Sequence, residues 1–410
     1  MTLLRNREFM KLWGGQTISV LGDQVTTLAL PLAAVLTLDA NAFQMGLLAA
    51  VTWLPHLLFS LHAGVFIDRR ARKRHTMIAS DLARAIVLAS VPVAYAFDVL
   101  TIWQLFAVAF LHGTFAVFFD LSWSTIFVAL VPREQFVEAN SKLFQSRSLA
   151  YVAGPSIAGF LVQLLRAPLA LLVDALSFLA SAFVLWRIRA VEPQPEEEPD
   201  ERLRTRLAAG MRFIWRSAAY RASLLSFSTI NFFNLMFSAL FVLYATNDLH
   251  VRPGTLGVVL GAGAVGAVIG AVFAPRLARG IGVGQSVVVG ALLFPAPLML
   301  IPAAGGPQWL VLTFLFAAEF LAGMGVMVLD VNANALNAAL SPDRMRARIF
   351  GAHRVLNYGV RPVGSLLAGV LGEAIGLRPT LWIATIGALL GVLWLLPSPI
   401  PRMRDLPEPA

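Results

Sequence analysis

Apolar residues in this chain come in long unbroken runs, and polar residues gather in the short segments between them. Twelve runs can be marked, roughly 12–38, 43–67, 76–97, 101–130, 143–165, 168–189, 222–246, 255–276, 285–304, 307–337, 351–375 and 378–397. Each reaches about 20 residues, the length an α-helix needs to cross a hydrocarbon core of about 30 Å. A membrane β-barrel would alternate apolar and polar positions with period two, and these runs do not. The pattern predicts an all-α integral membrane protein with twelve transmembrane helices.

The runs repeat. Sliding the chain along itself by 210 residues brings Gly113, Asp120, Leu130, Pro132, Gly154, Ala158 and Gly159 onto Gly323, Asp330, Leu340, Pro342, Gly364, Ala368 and Gly369 without a gap. Chance matches in apolar sequence would favour Leu and Val; these are Gly, Pro and a carboxylate. The register predicts two pseudo-symmetric six-helix halves, 1–189 and 222–410, joined by a cytoplasmic linker over 190–221, with a short C-terminal tail after the last run. Duplicated membrane bundles place their working site where the copies meet, so that rocking of the halves exposes it to each side in turn.

Composition agrees with a membrane setting. The chain is 58% hydrophobic and 13% charged, with mean hydropathy +0.74, too little polar surface for a soluble globule of 410 residues. A pI near 10.7 might point to nucleic acid, but the basic residues are split among short inter-run segments and form no continuous face. Arg166, Arg252 and Arg378 fall outside and Arg84, Arg147 and Arg361 within runs; the rest of the 32 basic residues share one side, which sets both termini in the cytoplasm of a multi-pass inner-membrane protein. Trp103 and Trp309 at outer ends, with Trp13, Trp186 and Trp394 near inner ends, fit interfacial belts. The sequence holds no cysteine, which excludes disulfides and thiolate metal sites. The N-terminal run is too long for a signal-peptide core and is expected to stay as a helix.

The linker reads VEPQPEEEPDERLRTRLAAGMRFIWRS, an acidic Pro-rich stretch followed by a basic amphipathic one. Arg202, Arg206 and Arg216 with Leu203, Ile214 and Trp215 predict a surface helix on the inner leaflet. GAGAVG at 261–266 has the form of a dinucleotide fingerprint, but it lies inside an apolar run, and no acid stands between Asp248 and Glu319. Gly257, Gly261, Gly266 and Gly270 instead predict close helix packing.

The second and third runs are joined by GVFIDRRARKR, with Gly64, Asp68, Arg69, Arg72, Lys73 and Arg74 across a tight turn. This spacing resembles the signature loop of the major facilitator superfamily, matching at Gly64, Asp68, Arg69 and Arg72, while Arg70 and Ala71 stand where many members have a variable residue and a second glycine. AYVAGPSIAG in the fifth run, with Gly154, Pro155 and Gly159, resembles the antiporter motif of that superfamily's drug and metabolite exporters. LGDQVTTLALP, DLARA, VPREQFVEANS and RPVGSLLAG are similar too. Together they resemble the branch of twelve-helix proton-driven exporters that includes macrolide efflux and siderophore export proteins, over nearly the whole chain and most closely in 14–190 and 320–372. The resemblance implies the major facilitator fold, with the first, fourth, seventh and tenth helices lining a central cavity.

It also implies roles for particular charges. Asp68 is expected to cap the helix that starts near Gly351 to Arg354, Arg72 to reach Asp120, and the second copy to pair Asp330 with Arg276 or Arg279, all as gate residues. Proton coupling needs a carboxylate deep in the bilayer. Asp23, on one face with Gln16, Ser19 and Thr26, leads; Glu319, near the face of Gly323 and Asp330, is second. Asp81, Arg84 and Asp174 read as structural. Gln16, Ser19, Ser228, Asn231, Phe232, Asn234 and Arg361 are the candidates for a substrate wall, with Ser238, Phe233 and Phe237 nearby; aromatic and amide groups mixed in this way suit an amphipathic organic molecule. His56, His62, His75, His112, His250 and His353 form no spaced ligand pair, so no metal and no cofactor are expected.

The expected function is export of amphipathic organic solutes, drug-like or macrolide-like, in exchange for protons by alternating access, as a monomer in the bilayer without nucleic acid. A dedicated exporter of an endogenous metabolite such as a siderophore is the alternative within transport, and a non-transporting sensor the alternative outside it. A membrane enzyme would need clustered acids for metal diphosphate or paired histidines near one interface, and the sequence offers neither.

Overall fold

A computed structural model of the chain describes residues 3, 6–68, 72–189, 203–342 and 345–406. Among these residues there is helix and no strand. The helices are α1 (Arg7–Leu38), α2 (Ala42–Asp68), α3 (Lys73–Ala96), α4 (Ile102–Leu130), α5 (Phe136–Leu165), α6 (Ala167–Arg187), α7 (Leu203–Arg216), α8 (Ala218–Asn247), α9 (Pro253–Ile281), α10 (Val283–Leu293), α11 (Leu300–Ala303), α12 (Gln308–Leu340), α13 (Arg346–Ile375) and α14 (Leu377–Leu389).

Local chemistry sets where they begin. Asn6 accepts from the Glu8 and Phe9 amides, Thr101 from Gln104 and Ser217 from Tyr220, each satisfying an N–H that a helix start leaves free. Helices run through Pro31, Pro55, Pro92, Pro155, Pro275 and Pro362, as membrane helices tolerate. Eleven helical segments among the described residues are long and apolar enough to cross a membrane, counting Val283–Ala303 and Leu377–Trp394 as single spans made of a helix and the short turns that extend it. The twelfth expected run lies in α13, which misses that test because Arg346, Arg348, Arg354, Arg361 and Glu373 interrupt its 30 residues.

The chain divides into two compact units. Unit 1 is Met1–Glu198 with Val251–Gly261; unit 2 is Pro199–His250 with Ala262–Ala410. In unit 1, α1 packs on α5 and α6, α3 on α4 and α6, and α2 on α4. In unit 2, α8 packs on α13 and α14, and α10 on α12. Lipid is as apolar as Leu, so contact area alone does not hold such helices together; small residues and polar contacts do. The sequence repeat reappears in these contacts. Gly113 of α4 sits against the Thr52 carbonyl of α2, and its counterpart Gly323 of α12 against the Gly263 carbonyl of α9. The α9 glycines are packing residues: Gly266 and Gly270 lie on the backbone of Phe320 and Met324.

Two expectations change here. The basic linker helix, α7, does not only lie on a leaflet. It buries Ile214 with Tyr220, Leu224, Ile349 and Ala352, and Gly210 lets its backbone touch the Arg348 carbonyl, while Trp215 stays exposed. Trp103, Trp186, Trp309 and Trp394 are exposed as belt residues would be, but Trp13 turns inward, donating from Nε1 to Ser146 Oγ at 2.8 Å.

Candidate functional site

Unit 1 holds an ionic group assembled from four helices. Asp23 lies midway along α1. One residue before it, Gly22 lets α6 approach so closely that a side chain there would collide with Ser177 and Asp174. Asp174 of α6 is fully buried and accepts from Thr26 Oγ1 and, at 2.8 Å, from Ser177 Oγ. On α3, Arg84 bonds to the fully buried Asp81 one turn earlier and stands 4.0 Å from Asp23 Oδ1. The faces of Phe178 and Phe119, 4.0 and 4.7 Å from the guanidinium carbon, enclose it. From α4, His112 brings Nε2 to 3.9 Å of Asp23 Oδ1. Of the Asp23 and Arg84 side chains, 36% and 4% are exposed, so Asp23 is the open member of a closed group.

The sequence points to Asp23 and reads Asp81, Arg84 and Asp174 as structural; the structure gathers all four with His112. Signals for this were weak because the partners lie tens of residues apart, and only the i, i+3 spacing of Asp81 and Arg84 was local. Ligand atoms of Asp23, His112 and Asp174 come within 4.8 Å of one another, a grouping that histidine spacing could not reveal. The donor set does not fit a metal ion: Asp174 is engaged by two hydroxyls, and a guanidinium faces Asp23.

Other predicted residues of unit 1 are dispersed. Ser19 is buried in this structure; Gln16 is partly buried, and its Oε1 has no hydrogen-bond partner among the described residues. The Arg72–Asp120 pair does not form. Arg72 is the exposed N-cap of α3, and Asp120 is exposed on α4, where its charge acts on Asp23. Gly64 lies in α2 and Asp68 ends it, with side chains that are not described, and Arg69 lies outside the described residues. Gly154 of α5 lies against the Gln24 side chain of α1, Pro155 sits inside the uninterrupted helix, and Gly159 meets Gly257 with almost no space between.

Unit 2 is arranged differently. Glu319 of α12 lies beside Gly263 and makes no hydrogen bond or ion pair among the described residues. Asp330 is not paired with Arg276, whose guanidinium turns back to the Val272 carbonyl at 3.1 Å and over the Phe273 ring. The cation that acts on Asp330 is Arg361 of α13, stacked on Tyr358 at 4.8 Å. On α8, Ser228, Asn231, Phe232 and Asn234 are all partly buried; Asn231 donates to the Phe227 carbonyl, and the Phe232 carbonyl faces Gly364.

The profile of the family described as transmembrane secretion effector matches residues 1–408. The chain is 28% identical over 407 residues to the multidrug efflux pump Tap of Mycolicibacterium fortuitum, across 94% of this chain and 93% of that protein. To macrolide efflux protein A of Streptococcus pyogenes it is 23% identical over 185 residues, 44% of each chain. Among solved structures, a bacterial homologue of the iron transporter ferroportin in an inward-facing state superposes with TM-score 0.80 at 16% identity, over 97% of this chain and 99% of that one. The nucleoside transporter NupG gives 0.73 at 12% identity, over 95% and 98%. At such identities, what these structures share with the chain is its fold.

Proposed function

The chain belongs to the transmembrane secretion effector family of the major facilitator superfamily, and on that premise we propose that it exports amphipathic organic molecules in exchange for protons by alternating access. The names of its relatives, a multidrug pump and a macrolide efflux protein, support the direction and the substrate class. Its placement is a cytoplasmic membrane with both termini inside, a reading supported by the one-sided distribution of Lys and Arg.

The observation that carries proton coupling is the ionic group around Asp23. Three carboxylates, Asp23, Asp81 and Asp174, surround the Arg84 guanidinium inside a helix bundle, and the charges of Asp120 and Arg147 also act on Asp23, so that acids outnumber cations around it. Buried charge is tolerated when it is paired, and the excess negative charge calls for a cation. Asp81 is tied to Arg84 and Asp174 to two hydroxyls, which leaves the partly exposed Asp23 as the member that exchanges a proton with solution. Glu319, partly buried beside α9 and without an ion pair among the described residues, is the second candidate. The α8 face of Ser228, Asn231, Phe232 and Asn234, with Arg361, supplies the substrate wall in unit 2.

Inverted vesicles carrying the protein test this with an imposed pH gradient and a panel of lipophilic cations, macrolides and siderophores. Gradient-dependent accumulation of the first two classes is expected. Accumulation of siderophores alone would replace the substrate class, and no movement of any solute under any gradient would favour a sensor.

A further inference from the structure

α13 is the long helix that fails the apolar test, and its polar side chains are not scattered. His353, Asn357, Arg361 and Ser365 recur every four residues, one ridge winding slowly along the helix at about 6 Å per step. Three of them carry buried polar atoms with no hydrogen-bond partner among the described residues: His353 Nε2, Asn357 Oδ1 and Ser365 Oγ. Asn357 is 9% exposed and Ser365 0%. Arg361, the fourth, is engaged with the Tyr358 ring and feels the charge of Asp330. The facing helix does not meet this need: Asn231 of α8 spends its amide on the Phe227 carbonyl, and what lies beside His353 is the Phe227 ring, 6.3 Å away. The opposite flank of α13 is apolar and exposed at Val363, Leu367 and Val370, as a lipid-facing surface is.

Buried polar groups in native proteins are satisfied by protein or by water, and polar atoms inside a membrane protein mark hydrated paths. We propose that the His353–Asn357–Arg361–Ser365 ridge is a water-filled track within unit 2. It runs about 18 Å along α13, over half of a hydrocarbon core of about 30 Å, and gives Asp330 and Arg361 contact with water at depth. Its mixed chemistry suits water: an amide oxygen that only accepts, a hydroxyl that does both and an imidazole nitrogen. This inference stands apart from the export reading, since a track can be wet in a protein that moves nothing.

The absence of native cysteine makes the test direct, because any introduced thiol is the only one. Ser365→Cys, nearly isosteric, and Asn357→Cys are compared with Val363→Cys and Val370→Cys for reaction with a small cationic methanethiosulfonate in native membranes. Thiols react as thiolates and so need water, and labelling at 365 and 357 is expected to be about tenfold faster than at 363 and 370. Should Asn357→Cys fail to accumulate in the membrane, Ser365→Cys alone decides. Equal rates at 365 and at the lipid-facing positions, or no reaction at 365 after detergent-free exposure in either membrane orientation, would show the ridge to be dry and overturn the proposal.

Discussion

The crossing of α1 with α6 in unit 1 and that of α8 with α14 in unit 2 are copies 210 residues apart, built in opposite ways. In unit 1 the small residue is Gly22 on the first helix, and it lies against Ser177 and Asp174. In unit 2 the small residue is Gly387, the counterpart of Ser177 on the second helix, and it lies against the ring of Phe233, the counterpart of Asp23. Close approach is kept while the bulky side is exchanged. The chemistry is not kept: Asp81, Arg84, His112 and Asp174 correspond to Ala291, Phe294, Ala322 and Ala384. One copy uses the crossing to house charge and the other to house an aromatic ring. Duplication preserved the geometry and left each unit free to specialise.

Breaking the charged version should have the largest effect. Arg84→Ala leaves Asp81 buried without its cation and is expected to cost about 3–5 kcal/mol, seen as a lowered unfolding midpoint in detergent; adding Asp81→Asn should recover more than half. The counterpart change, Phe294→Leu, is a hydrophobic swap expected to cost less than about 1.5 kcal/mol. Equal losses at the two positions would erase the contrast.

Next come the two crossings. Gly22→Ala and Gly387→Ala each overpack a tight site and should cost about 1–3 kcal/mol. A double-mutant cycle separates them. Phe233→Ala should rescue Gly387→Ala almost fully, because the three atoms nearest to a side chain at 387 all belong to that ring. Ser177→Gly should rescue Gly22→Ala only in part, because Asp174 Oδ1 remains in the way.

Smaller effects follow at the next turn. Arg166 and Gly376 are counterparts and share a conformation, φ 70° and ψ 154° in one and φ 90° and ψ 163° in the other, a region that favours glycine. Gly376→Ala should cost about 1 kcal/mol of strain, whereas Arg166→Gly should shift the unfolding midpoint slightly upward. Smallest is Arg276→Ala, within about 0.5 kcal/mol, because Arg276 contacts its own helix and not Asp330. A large loss there would restore the expected gate pair.

Much of the fold was legible because run length and the 210-residue register are properties of the sequence itself. The packing role of GAGAVG followed from its place inside an apolar run. What escaped were contacts that depend on helix rotation. Nothing local says that His112 faces Asp23, or that Arg361 and not Arg276 acts on Asp330. The amphipathic pattern of the linker helix fits a membrane surface and a protein groove equally well, and Ile214 in its core of Tyr220, Leu224 and Ile349 shows the second. The α13 ridge was readable in principle at i, i+4 spacing, but only burial shows that His353 Nε2, Asn357 Oδ1 and Ser365 Oγ find no hydrogen-bond partner among the described residues.

The most direct measurement compares the intact protein with Asp23→Asn in proteoliposomes, reading counterflow exchange of a substrate and its accumulation under a pH gradient. With Asp23 as the proton carrier, the variant should exchange substrate at near-normal rates yet fail to accumulate it. Accumulation equal to that of the intact protein, with the same dependence on the gradient, would contradict the account.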